Sequence, residues 1–294
     1  HLSFKNLDSA TVKLVDSVTS YAVQGAWFSS AFRTKAWDGR THLLTFSRSL
    51  GYRVHAGCTA DVIQALQRDR VPFEFIDRRR VPEPTCDHGW TGKILADGKV
   101  VDFEARSYQV DAVRAMVTTC PPLGRCVVKL PIRSGKTVVA AIAIATLSVP
   151  TLFVVTSDLL LDQTVRLYRT MFSTKVGVVG AGTWDPSSLT VATIQTLHHR
   201  LGTPEFAALM NLVDLAFLDE VHHLGSAPKR GAAAPLPTKT NKPRRESVNW
   251  KDIVLKCPAF WKIGLSATPY CDIHKPSERS GIWMKAAPGS IVFE

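Results

Sequence analysis

Acidic residues are in short supply in this chain, with 25 Asp and Glu against 36 Lys and Arg in 294 residues. The resulting formal charge of +11 is a mild pointer to a polyanionic partner such as nucleic acid. Cysteine is also sparse. The six, Cys58, Cys86, Cys120, Cys126, Cys257 and Cys271, form no CxxC pair, and no His spacing completes a zinc site. So few cysteines in so long a chain exclude a disulfide framework and suggest a reducing compartment. No signal peptide is legible, because Lys5, Asp8, Lys13 and Asp16 break the first apolar stretches. One run carries no charge, from Thr137 to Ser157. A spanning helix needs about 20 apolar residues, but Ser148 and Pro150 divide this run into a helix-like half and the β-branched TLFVVT. A buried helix, a turn and a buried parallel strand explain it better, so no membrane span is expected and the setting should be cytoplasmic. What is present in quantity is apolar residue, at 45%, enough to build a core for one large domain or two ordinary ones.

Three regions separate by composition. Residues 1 to about 84 mix short strand-like runs with one good helix, ADVIQALQRD, and close on the basic cluster Arg78, Arg79, Arg80. They are expected to form an accessory, DNA-binding domain. Residues 85–105 carry the turn signals PEPTCDHG and LADGK and read as a connector or small hairpin. From Arg106 to the end, 106–294, helices and strands alternate. YQVDAVRAMV precedes CVVKL, TVVAAIAIATL precedes TLFVVT, and the strand-like VGVVG, LTVAT, LAFLDE and KIGLSA follow. Continuous apolar strands separated by helices predict an α/β fold: a parallel sheet with helices on both faces. The stretch GSAPKRGAAAPLPTKTNKPRRESVNWKD, rich in Pro, Ala and Lys/Arg, is expected to be a long, mobile, basic surface insertion.

The chemistry is concentrated at two places. CVVKL runs into LPIRSGKT and then into a helix, and Ser134-Gly135-Lys136-Thr137 has the pattern of the working end of a phosphate-binding loop. Backbone N–H groups at such a helix start surround phosphates, and the helix dipole adds partial positive charge. Lys136 is expected to reach the β- and γ-phosphates of ATP, and the Thr137 hydroxyl to take a place on Mg²⁺. The full GxxxxGK[ST] pattern is not met, because Leu130 stands where the first Gly would be and Arg133 occupies a position that usually prefers a small residue. About 80 residues later LAFLDEVHH is an apolar strand ending in two carboxylates. Asp219 at a strand's C-terminal end can hold Mg²⁺ through water, and Glu220 can polarise the attacking water. A lone Asp-Glu is usually a solvated turn, but paired with the upstream GKT it reads as a nucleotide-hydrolysis site. His222 and His223 are adjacent and so do not share a helix face, which argues against a metal pair.

Taken together, LPIRSGKT, DEVHH and the downstream SATP resemble motifs I, II and III of the superfamily 2 helicases and translocases. That family commonly tolerates Ala or Leu at the position of Leu130. RSYQ is similar to its adenine-reading motif, which implies that Gln109 reads the base edge with Arg106 in support. TSDLLLDQ looks like motif Ia and ATIQTL like motif Ib, which implies backbone contacts to nucleic acid from Thr156, Ser157, Thr193, Gln195 and Thr196. Ser266 and Thr268 would couple the ATP site to the DNA track, with His222 as their usual partner. The resemblance implies a first RecA-like domain, with Arg106, Gln109, Arg133, Ser134, Gly135, Lys136 and Thr137 around ATP. It also implies a second RecA-like domain in the full-length protein, because few residues follow SATP.

RSYQ with DEVHH resembles the UvsW-like and XPB-like branch. FSSAFRTKAWDGRTHLLTF is similar to the W-D-G-bearing segment ahead of the core in its phage members, where that region engages branched or damaged DNA. Trp37-Asp38-Gly39 also reads as a plain tight turn between strands, with Trp37 packed inside. The function expected is an ATP-dependent DNA helicase or translocase acting on branched or duplex DNA, seen here in its N-terminal half. Two alternatives stand beside it: the motor of a restriction or defence complex, and a DNA-binding module with a weak ATP site.

Overall fold

The computed structural model describes residues 1–23, 25–79, 81–119, 124–221, 250–267 and 291–293. The N-terminal unit is a small α+β assembly. In chain order it contains β1 (Leu2–Ser3), α1 (Ser9–Thr19), β2 (Ser20–Ala22), α2 (Ser30–Arg33), β3 (Arg40–His42), β4 (Thr45–Ser47), β5 (Gly51–Val54) and α3 (Thr59–Arg68). Strands β1, β5 and β4 form an antiparallel sheet, and β2 pairs antiparallel with β3. Helix α1 starts where the Asp8 carboxylate accepts a 2.7 Å hydrogen bond from the Thr11 N–H, a side-chain cap on an otherwise orphaned donor. Its Val15 meets Val62 and Leu66 of α3 in a core with Leu43, Val54 and Cys58. The Trp37-Asp38-Gly39 segment is a turn leading into β3. The Trp37 indole N–H donates to the Arg40 carbonyl at 2.7 Å, and the Arg40 N–H donates to the Asp38 carboxylate at 2.9 Å.

An extended segment then leads to a hairpin of β6 (Lys93–Ala96) and β7 (Lys99–Asp102), which packs on the helix Asp158–Met171. Trp90 lies edge-on between Phe103 and Phe172, pinning the hairpin base. Upstream, the Thr85 and Cys86 N–H groups both donate to the Ser148 carbonyl, and His88 Nε2 lies 2.9 Å from the Val149 carbonyl.

The remainder alternates as expected: α4 (Ser107–Thr119), β8 (Arg125–Lys129), α5 (Lys136–Leu147), β9 (Thr151–Val155), α6 (Asp158–Met171), β10 (Val176–Gly180), β11 (Thr183–Asp185), β12 (Leu189–Thr193), α7 (Ile194–His199), α8 (Pro204–Leu212), β13 (Leu215–Leu218), α9 (Trp250–Lys256), β14 (Trp261–Ser266) and β15 (Ile291–Phe293). The strands form one sheet in the order β11-β10-β12-β9-β13-β14-β8-β15. All neighbours pair parallel except β10 with β11, which closes that edge as a tight antiparallel hairpin. Helices α4, α5 and α6 contribute Met116, Ile144 and Tyr168 to the core on one face. Helices α7, α8 and α9 contribute Leu197, Leu209 and Ile253 on the other. This is a RecA-like α/β sheet covered on both sides.

The uncharged run resolves as the sequence suggests. Helix α5 is apolar nearly all round because it is buried nearly all round, Ser148 ends it in a left-handed conformation (φ 50°), and β9 is buried along its whole length. Among the described residues no helix is long and apolar enough to cross a membrane. One expectation needs correcting at its C-terminal end. The expected basic insertion stops short of Trp250-Lys251-Asp252: these residues open α9, and Ile253 and Val254 of that helix are buried in the second core. The rest of that insertion, residues 225–249, lies outside the described residues, as do His222, His223 and Thr268.

Candidate nucleotide and nucleic-acid site

The site lies at the C-terminal ends of β8, β13 and β14, where ligands of open parallel sheets bind. Strand β8 delivers Leu130, which is buried in the core and whose N–H donates to the Ser266 carbonyl at 3.1 Å. Leu130 is therefore a packing residue, and the end of β14 is tied directly to the start of the loop. The chain then turns through Arg133 (φ 66°) and Gly135 (φ 78°), both left-handed, before α5 begins at Lys136. No side chain caps α5, so its first N–H groups face the loop without a side-chain acceptor. Gly135 meets two demands at once, because a Cβ there would also stand 3.0 Å from Gln109 Nε2.

Across the loop, Asp219 and Glu220 follow directly on the end of β13. Asp219 is 9% exposed, its N–H donates to the Val154 carbonyl, and its carboxylate accepts the Glu220 N–H at 3.0 Å. Glu220 is also left-handed, at φ 49°. Val221, fully buried, packs against Gly264 of β14, where an added Cβ would come within 2.8 Å of the valine. That fit fixes the acidic pair against the sheet. The consequence is an ion pair across the site: Lys136 Nζ lies 3.5 Å from Glu220 Oε1, with side chains 13% and 30% exposed. Thr137 and Asp219 supply a hydroxyl and a carboxylate, hard oxygen donors of the kind Mg²⁺ takes. Beneath them sits Tyr168, a residue the motif reading missed. Its hydroxyl donates to the Thr137 carbonyl at 3.3 Å, and burial, followed by the charge of Asp219, pushes its pKa well above the usual phenol range.

The RSYQ segment folds onto the same loop. Tyr108 donates to the Ser134 carbonyl at 2.7 Å, and Gln109 Nε2 donates to the same carbonyl at 3.4 Å. Gln109 Oε1 accepts the Arg106 N–H at 3.0 Å, and the Arg106 guanidinium reaches the Tyr108 hydroxyl at 3.3 Å. Gln109 is only 5% exposed, so its amide is committed to holding the loop as much as to facing solvent. Tyr108 was not singled out from the sequence, although it makes the shorter of the two contacts to the loop. Its position inside a four-residue motif was the available signal.

On the other side of β13, the segments after β9 and β12 come together. Gln195 Nε2 donates to the Thr156 carbonyl at 2.7 Å. Ser157 caps α6 and Thr193 caps α7, and Thr193 also donates to the Thr196 hydroxyl at 2.9 Å. Thr193 is buried and turned into its cap, whereas Gln195 is exposed. Of the residues named from the sequence, Lys136, Thr137, Asp219 and Glu220 form one group, and Arg106, Gln109 and Ser134 form a second beside it. Thr156, Ser157, Thr193, Gln195 and Thr196 form a third, and Ser266 touches the first through Leu130.

The family model described as type III restriction enzyme, res subunit, matches residues 102–271, more than half of the chain. No curated protein matches the chain by sequence. Among solved structures, the crystal structure of the UvsW helicase from bacteriophage T4 is similar with a TM-score of 0.61 at 17% identity, covering 97% of this chain and 93% of that one. A second crystal structure of T4 UvsW gives 0.60 at 17% identity, with 97% of this chain matched to 53% of that one. At that identity the likeness is one of fold.

Proposed function

The chain belongs to the family described as type III restriction enzyme, res subunit, with the RecA-like fold of a superfamily 2 helicase, and on that premise we propose that it is the first motor domain of an ATP-dependent DNA helicase or translocase. The observation that carries this reading is the Lys136–Glu220 pair across the mouth of the loop, with Asp219 beside it. A lysine poised between a carboxylate and a set of helix-start N–H groups is a phosphate receptor whose counter-charge is already in place. In this reading Lys136 exchanges Glu220 for the β- and γ-phosphates, and Gln109 and Arg106 sit at the base. Thr137 and Asp219 would hold Mg²⁺, which when bound neutralises charge developing on the phosphates. Glu220, released from Lys136, orients the attacking water. Thr156, Ser157, Thr193, Gln195 and Thr196 border the DNA track, where the exposed Gln195 side chain makes contacts and the capping hydroxyls hold the shape. Ser266, with Thr268 and His222, links this track to the loop.

A second RecA-like domain in the full-length protein completes the enclosure and supplies an arginine finger, worth about 10³–10⁵ in rate. The decisive experiment measures binding of a fluorescent ATP analogue with Mg²⁺, and phosphate release with and without forked DNA. Nucleotide binding that is lost in Lys136→Ala supports the proposal, and turnover by this chain alone should stay near background. Absence of any nucleotide binding would leave only the DNA-binding module. The description of the matched family favours a second reading, the motor of a restriction complex. DNA cleavage dependent on ATP in the full-length protein would select it.

A further inference from the structure

The N-terminal unit carries a feature that the motor reading leaves unused. Trp27 is 59% exposed and Phe28 is 79% exposed, on a single turn of 3-10 helix (Ala26–Phe28) running into α2. Large aromatic rings left in water at adjacent positions are costly, and a folding unit this small has little reason to spare them. The rings lie 5.6 Å apart between centroids and are inclined at 48°, so each keeps a face open. Their footing is firm. Ala26 is buried, the Phe28 N–H donates to Gly25, the Ser29 N–H to Ala26, the Arg33 N–H to Ser29 and the Trp37 N–H to Ala31, each within 3.2 Å.

The charge around them has one sign. No acidic residue occurs between Asp16 and Asp38, whereas Arg33 and Lys35 stand exposed on the same short segment. Asp16 and Asp38 are themselves engaged by one imidazole: His42 Nδ1 lies 2.7 Å from the Asp16 carboxylate, and Nε2 lies 2.9 Å from that of Asp38. The shared imidazole offsets part of the charge of the acids that would repel a polyanion, and the exposed rings stand on the same short segment as two cations. Exposed rings with flanking Lys and Arg are the chemistry of base stacking with backbone charge contact, and they suit a strand whose bases are not already paired.

We propose that Trp27 and Phe28 form a stacking platform for unpaired bases of a nucleic-acid strand, with Arg33 and Lys35 on its phosphates. The proposal rests on the DNA-motor reading and adds to it a place where a single-stranded region is held outside the ATPase core.

The test uses fluorescence anisotropy with a labelled 20-nucleotide oligothymidylate and, separately, a blunt duplex of equal length. Replacing both Trp27→Ala and Phe28→Ala should weaken single-strand binding about 5–100-fold. The slope of log K against log salt should not change, and duplex binding should shift less than about twofold. Trp27→Phe, which keeps a ring, should recover most of the loss. Arg33→Gln with Lys35→Gln should instead flatten the single-strand salt slope by up to about 1.4, near 0.7 per phosphate contact. Binding of the ATP analogue and the melting temperature are followed in every variant, so that misfolding is seen as such. Equal losses on both DNAs, no loss at all, or a Phe variant as weak as the Ala variant would overturn the platform while leaving the motor reading intact. A dimer in gel filtration that dissociates in the double variant would overturn it too, since the patch would then be covered by a second copy. If the unaltered chain binds the nucleotide but neither DNA, the DNA reading itself fails and the platform falls with it.

Discussion

Replacing Glu220 with Gln keeps the shape of the site and removes one charge, so its effect follows from the 3.5 Å separation to Lys136. Coulomb's law gives about 5 kcal/mol for that separation at an effective dielectric of about 20, and about 1 kcal/mol in bulk water. Exposures of 13% and 30% put the pair between these limits. Desolvation and side-chain ordering reduce the net contribution further, to about 1–2 kcal/mol. In the proposed cycle that energy opposes nucleotide entry, because Lys136 must leave Glu220 to meet the phosphates. Glu220→Gln should therefore tighten binding of the Mg-ATP analogue by roughly 5–30-fold, measured by titration of this chain at two salt concentrations. The gain should be smaller at higher salt, since the pair is only partly shielded from solvent. In the full-length protein the same change should slow DNA-stimulated phosphate release by about 10²–10⁴, the usual contribution of a positioned base. Tighter binding joined to slower turnover is the signature. An affinity that stays constant or falls would refute the competition between Glu220 and phosphate, and turnover within twofold of the parent would remove Glu220 from the reaction.

Other sites give independent checks. Tyr108→Phe deletes the 2.7 Å hydrogen bond to the Ser134 carbonyl, a net loss of about 0.5–1.5 kcal/mol. It should weaken nucleotide binding a fewfold in the same titration, and unchanged affinity would mean that the loop needs no such prop. Lys262 is buried, donates to the Val254 carbonyl at 2.9 Å, and is pushed down to about 8, first by loss of water and also by Arg125. A depressed folded pKa means that stability present above the unfolded value of 10.5 is lost as pH falls through 8, by about 3 kcal/mol. Lys262→Met should therefore stabilise the chain at neutral pH, with the advantage shrinking by pH 10.5, and urea melts showing a constant difference would refute this. His42 behaves oppositely: its hydrogen bond to Asp38, and next that to Asp16, raise its pKa. Its contribution is complete below the usual histidine value and is lost as pH rises through the folded one. His42→Gln should flatten that part of the stability profile, and an identical profile in both proteins would rule out the clasp.

Most of the core was legible because buried parallel strands are written as continuous apolar runs. CVVKL, TLFVVT, VGVVG, LTVAT and LAFLDE fall within a residue or two of β8, β9, β10, β12 and β13. Helix α9 was hidden because its basic leader resembles a solvated loop and its apolar content, chiefly Ile253 and Val254, is too short to show a period. Strand β11 was hidden because Thr183–Asp185 is exposed at its ends and pairs only at the sheet edge. The short motifs announced Lys136, Asp219 and Glu220, since their chemistry depends on residue type at fixed spacing. Tyr168 carries no such spacing. It reaches Thr137 only because α6 folds back across the sheet, a relation between elements far apart in sequence.

Arg133 and Glu220, at φ 66° and 49°, hold a backbone shape that glycine would adopt freely. Each non-glycine residue there costs of order 1–3 kcal/mol, against a typical domain stability of about 5–15 kcal/mol. These two positions, one in the phosphate loop and one just after β13, are thus where durability has been traded against a fixed arrangement of charge. A population of variants screened solely for heat resistance should accumulate glycine at both, and those with glycine in place of Glu220 should be the ones that no longer turn ATP over.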